Sequence, residues 1–231
     1  MDTSLIMKER ELLKSELQSL KDCQVKYFSF TITGTGIIFG VAEKFGEGKA
    51  NGLIYLIPLL LIIPLWSIFF DKASSITRIV GYMRVIEGML VGEPNLQYVG
   101  WEKALRKFRE RDAQLQPKLF SDYWIMVRNA FRAVALLFDF RRQHRYWIIN
   151  WLTFFGLGVC ALYLAKVRGT DPMLWTGAAV FFAFACLHNA DVLWSLVKGK
   201  FQWNAREELW TQILTVKPAA TAVGTTTPVS S

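Results

Sequence analysis

Histidine and cysteine are scarce in this chain of 231 residues, with two of the first and three of the second. His144 and His188 lie far apart, and Cys23, Cys160 and Cys186 are scattered, so neither a C-x-x-C nor a His-rich metal spacing is present. The thiols read as structural side chains of helices. A P-loop, a G-x-S-x-G elbow, an H-E-x-x-H pair and a glycine-rich phosphate loop are also missing. These gaps argue against an enzyme and imply no cofactor. The first apolar run begins at Tyr27, behind a segment rich in both charge signs, whereas a cleavable leader opens on a short basic stretch and a compact apolar core. That run is therefore expected to be retained.

Charge is what four windows lack. Charged residues make up 20% of the chain, hydrophobic ones 52%, and mean hydropathy is +0.25. The central window is Gly52–Phe70, an uncharged run that stops at Asp71-Lys72. At about 1.5 Å per residue it reaches roughly 28 Å, close to the hydrocarbon thickness of a bilayer. Pro58 and Pro64 lie inside it. They would cripple an exposed soluble helix, but neighbouring helices in a membrane can satisfy the freed carbonyls. The other windows are Tyr27–Ala42, Tyr146–Ala165 and Met173 to about Val197. Trp66, Trp147, Trp151, Trp175 and Trp194 fall near the window ends, as an aromatic belt would. The expected fold is all-α: a four-span helical membrane protein with a cytosolic helical layer. Its parts are an N-terminal helix at 1–26, a hairpin at 27–70, a helical region at 71–145, a second hairpin at 146–197, and a helix with a disordered tail at 198–231.

Net charge is +8. Of the 27 Lys and Arg residues, only Lys44, Lys49, Lys166 and Arg168 fall in the two hairpin loops. The positive-inside rule then puts both termini and the central region in the cytoplasm; the expected location is the cell inner membrane, multi-pass. That bias accounts for much of the positive charge, so a nucleic-acid partner is possible but not favoured.

Outside the spans, Ile6, Leu13, Leu20 and Tyr27 repeat every seven residues among charges of alternating sign. This amphipathic helix suits packing on the protein's own cytosolic layer or self-association. Asp71–Val91 has helical spacing and no breaker at its junction with the second span, so the two are expected to be continuous, with Pro58 and Pro64 as bending points. Gly92-Glu93-Pro94-Asn95 ends that helix, and Trp101–Ala113 forms a short basic one. Asp122–Phe140 is apolar but carries Arg128 and Arg132, which places it on the membrane surface. Phe201–Val216 reads as an amphipathic helix with Asn204 as its cap.

Candidate site residues follow from these elements. Gly36 and Gly40 form a small-xxx-small pair for helix packing, either against the next span or in a dimer. Arg78 and Tyr82 share a face that could hold the Asp71–Val91 helix against Trp101-Glu102, and Arg84 and Glu87 suit an intrahelical pair. His188, Asn189 and Asp191 are intramembrane polar residues, read either as an ion or proton relay or as interfacial groups. Arg141, Arg142 and Arg145 form a basic collar suited to lipid head groups. Arg78, Arg84, Lys103, Arg106, Lys107, Arg109, Arg111, Arg128 and Arg132 could bind an anion such as a nucleotide or lipid head group, or simply be solvated.

The run Asp71-Lys72…Arg78-x3-Tyr82-x-Arg84-Val85-x-Glu87, followed by Trp101-Glu102, resembles a pattern in uncharacterised small bacterial multi-span membrane proteins. Spans joined to long cytosolic helices resemble, more loosely, pore-forming membrane effectors of bacterial conflict systems. The resemblance implies an antiviral defence effector. The expected function is an oligomeric membrane protein whose cytosolic layer senses a protein or nucleotide partner and couples it to the spans. A small ion channel or transporter is the alternative, and a membrane enzyme the third reading.

Overall fold

The computed structural model describes residues 3–45, 52–92, 96–114, 124, 127–129, 132, 145–198 and 201–215. Every long element among them is helical. They are α1 (Thr3–Phe45), a 3-10 turn (Gly52–Leu56), α2 (Ile57–Val91), α3 (Trp101–Gln114), α4 (Arg145–Val167), α5 (Pro172–Val197) and α6 (Trp203–Leu214). Helices α1, α2, α4 and α5 are each long and apolar enough to cross a membrane, and the chain is an integral, multi-pass helical membrane protein.

Helix α1 has 43 residues and α2 has 35. At about 1.5 Å per residue they extend roughly 65 and 53 Å, well beyond a hydrocarbon core of about 30 Å. Both therefore project from the bundle at the same end, where they meet α3 and α6 in a polar layer. No break separates residues 26 and 27, so the amphipathic helix and the first span are one element. The second span likewise continues to Val91, where Gly92 ends it in a left-handed conformation (φ 91°). Pro58 differs from expectation: it lies in the first turn of α2, where its missing N–H costs no helical bond, and only Pro64 lies inside the helix.

Two cores result. The span core centres on Trp66, fully buried and stacked on Phe154 at 5.9 Å, with Trp151 at 5.5 Å and Phe182 at 6.2 Å. Gly158 lies against the Phe182 ring, where any Cβ would clash. The layer core gathers Ile6, Leu13, Ile79, Tyr82, Ile86, Phe108 and Trp210. At the opposite, hairpin end, Glu43 accepts bonds from the Tyr55 hydroxyl (2.9 Å) and Arg168 (2.6 Å), joining the two hairpins. The α4–α5 turn places Gly169 at φ 79°, and the Asp171 carboxylate then caps α5 through the N–H groups of Met173 and Leu174.

The small pair behaves differently from the packing expectation. A Cβ at Gly36 or Gly40 would meet nothing within 4 Å, so neither seats the second span. Gly34 does so instead, with Leu61 only 2.7 Å from its would-be Cβ. Arg141, Arg142, most of Asp122–Phe140 and the tail Lys217–Ser231 lie outside the described residues.

Candidate coupling site

The polar layer is tied to the spans by side chains on α1. Three of them reach α2. Gln24, 2% exposed, donates its amide to the Phe69 carbonyl at 2.9 Å. Arg10 donates to Glu87 through Nε (3.0 Å) and Nη2 (2.6 Å). The Tyr82 hydroxyl donates to Glu9 at 3.4 Å. The two helices run antiparallel, and these contacts set their register from the span boundary outwards.

Glu9 is the hub. Its second carboxylate oxygen accepts from the backbone N–H of Trp101, the first residue of α3. Ala104 N–H already bonds the Gly100 carbonyl, so Gly100, at φ 77°, opens the helix and Trp101 N–H is an orphan donor. A carboxylate at that position also complements the helix dipole. Burial and a bond to Glu9 push the Tyr98 phenol up to about 12. Three elements thus converge on one carboxylate.

Around this hub sits an aromatic cluster. The Tyr82 ring lies 5.0 Å from Trp101 and 4.9 Å from Trp210, and Phe108 lies 4.4 Å from Trp210. Trp210, fully buried, donates its indole N–H to the Arg78 carbonyl at 3.0 Å. Helix α6 approaches α2 closely because Gly81 has no side chain: a Cβ there would lie 2.9 Å from the Arg206 Cβ and 3.1 Å from its backbone. Arg206, 3% exposed, is held between the rings of Phe108 (4.9 Å) and Phe201 (4.8 Å).

The structure therefore brings together Arg78, Tyr82, Arg84, Glu87 and Trp101, with Glu102 exposed beside them. It corrects how two of them act. Arg84 and Glu87 are not each other's partners. Arg84 bonds Glu207 (2.9 Å) and Asn204 (3.2 Å) on α6 and lies over the Trp203 ring, while Glu87 takes Arg10. Asn204 is thereby a partner of Arg84 and not the cap of α6, whose cap position is Gln202, without a side-chain bond.

The intramembrane trio separates. His188 is exposed, Asn189 is fully buried with its amide on the Ala185 carbonyl, and Asp191 accepts from Asn129 at 2.8 Å. His188 and Asp191 thus do not share a bond. Arg145 is exposed, as are Lys103, Arg106, Lys107, Arg109 and Arg111 on α3 and Arg128 and Arg132 beyond it, with Arg132 5.9 Å from the Trp194 ring. Sequence reasoning missed Glu9, Arg10, Gln24, Tyr98, Gly81, Arg206 and Trp210. Only Gly81, a lone glycine inside an apolar face, and Trp210, a tryptophan in a mixed helix, carried a readable signal.

The chain matches no protein-family model, no curated protein and no solved structure.

Proposed function

We propose that the chain is a non-enzymatic, oligomeric protein of the cell inner membrane whose polar layer faces the cytoplasm, binds a partner there and passes that event to the spans. The observation that carries this reading is that α1 and α2 each run unbroken from the span core into the layer, cross-linked by Gln24, Arg10 and Glu9. A continuous helix pair transmits tilt and rotation of the layer to the spans. A defence-type membrane effector is the class this reading fits.

Self-association is supported by the outer face of α1. Positions 15, 19, 22, 26, 29, 33, 36 and 40 alternate by four and three residues, and every one is exposed. Ser29, Thr33, Gly36 and Gly40 form its span portion, where small side chains allow close backbone approach. Asp22 and Lys26 sit one turn apart on it, so two parallel copies meet with opposite charges in reach.

Orientation is tested by tags at residues 1 and 231, both expected to report the cytoplasm, and by Gly48→Cys, expected to label from outside. External labelling of either terminus would refute the orientation. For coupling, Arg10→Glu or Glu87→Arg alone is expected to weaken the growth or ion-flux effect of the expressed protein at unchanged membrane level. Reversing both charges should restore it. Single variants with full effect would contradict the reading. Both side chains are partly exposed, so loss of the pair costs the fold little, on the order of 1 kcal/mol or less.

A further inference from the structure

A cavity of about 480 Å³ lies between α1 and the start of α3. On α1 it is lined by Glu9, Leu12, Leu13 and Glu16, which occupy one helix face, and opposite them by Val99 to Lys103. Its volume falls in the range of about 300–1,000 Å³ typical of small-ligand sites. The apolar lining residues are Leu13, Val99, Trp101 and Leu12, which is 65% exposed although it stands in the polar layer. The charged lining is mainly acidic, with Glu9, Glu16 and Glu102 against one cation, Lys103.

We infer that this cavity binds a cation carried on an apolar frame, an ammonium or guanidinium joined to an aromatic or aliphatic body. The apolar wall takes the body, the carboxylates take the cation, and the mainly negative rim disfavours nucleotides and other anions. This deepens the proposed function, on which it rests, because the site includes the hub. A cation drawn to Glu9 competes with the Trp101 N–H and the Tyr82 hydroxyl for the same carboxylate. Occupancy and the seating of α3 are therefore linked, and a ligand that prefers one arrangement shifts the layer towards it.

The full chain in lipid nanodiscs is titrated by calorimetry with benzyltrimethylammonium, with acetyl-leucyl-arginine amide, and with uncharged benzyl alcohol. Either cation is expected to bind and to weaken with added salt, with benzyl alcohol much weaker. Glu16→Gln with Glu102→Gln, both exposed and outside the hydrogen bonds of the hub, is expected to weaken cation binding about ten-fold at an unchanged melting temperature. Tighter binding of the peptide assigns the cation to a partner's side chain, and tighter binding of the ammonium to a free small molecule. Binding of neither cation, equal binding of benzyl alcohol, or full affinity in the double variant would overturn the assignment. Such a failure with the Arg10–Glu87 charge reversal behaving as expected removes this site and leaves the coupling intact. The opposite pattern removes the coupling alone.

Discussion

At the scale of single residues, the layer depends on a few buried side chains with several duties each. Trp210 fills the space between Tyr82, Trp101 and Phe108 and also bonds the Arg78 carbonyl. Trp210→Ala is expected to cost about 3–5 kcal/mol, the usual range for a buried tryptophan, and to melt the layer before the spans in a thermal scan. A single transition of wild-type position would contradict it. Tyr98 gives a pH signature. Its phenol, raised to about 12, ionises near 10 in an unfolded chain, so its contribution is complete below about pH 10 and is lost as pH climbs from there towards 12. Tyr98→Phe should flatten that alkaline loss in melting curves without changing stability at neutral pH by more than the lost bond. The sequence pointed to Arg78 and Tyr82 because charged and aromatic residues at helical spacing are visible along one helix, and to Trp101 as the start of the next. It paired Arg84 with Glu87 for the same reason, and wrongly: spacing sees only neighbours on the same helix, while both side chains are long enough to reach α6 and α1. Glu9 had no signal, since its role exists only once the register of α1 against α2 is set.

At the scale of elements, the span ends were legible because charges mark them on both sides, and the continuity of α2 followed from the absence of Gly or Pro at its junction, from Asp71 to Val80. The continuity of α1 was less visible, because the change from alternating charge to an apolar run at Tyr27 marks a change of solvent and not of backbone. Pro58 could not be told from Pro64 by composition; only the start of the helix separates a tolerated first-turn proline from an interior one. The glycines sort in the same way. Gly36→Leu with Gly40→Leu is expected to leave the melting temperature unchanged, since nothing lies within 4 Å of either, and to shift the size distribution in chemical crosslinking towards single chains. Gly34→Leu, which would drive into Leu61, should instead destabilise the fold. An unaltered size distribution in the Gly36/Gly40 variant would remove the α1 seam as an assembly surface.

At the scale of the whole molecule, two cores are joined by two long helices, and the hairpin end is closed by the Glu43–Arg168 pair. In the proposed function the layer and the spans act as one body through α1 and α2. The measurement that tests this most directly is insertion of two alanines after Lys72, between the cores on α2. It rotates everything beyond by about 200° while adding about 3 Å. The layer then presents its α1-facing side chains away from α1, and the register set by Tyr82 and Glu87 is lost. The expected product still accumulates in the membrane, still spans it with the same topology, and loses whatever growth or ion-flux effect the unaltered chain produces in the same assay. An insertion variant that accumulates normally and keeps its full effect would contradict it.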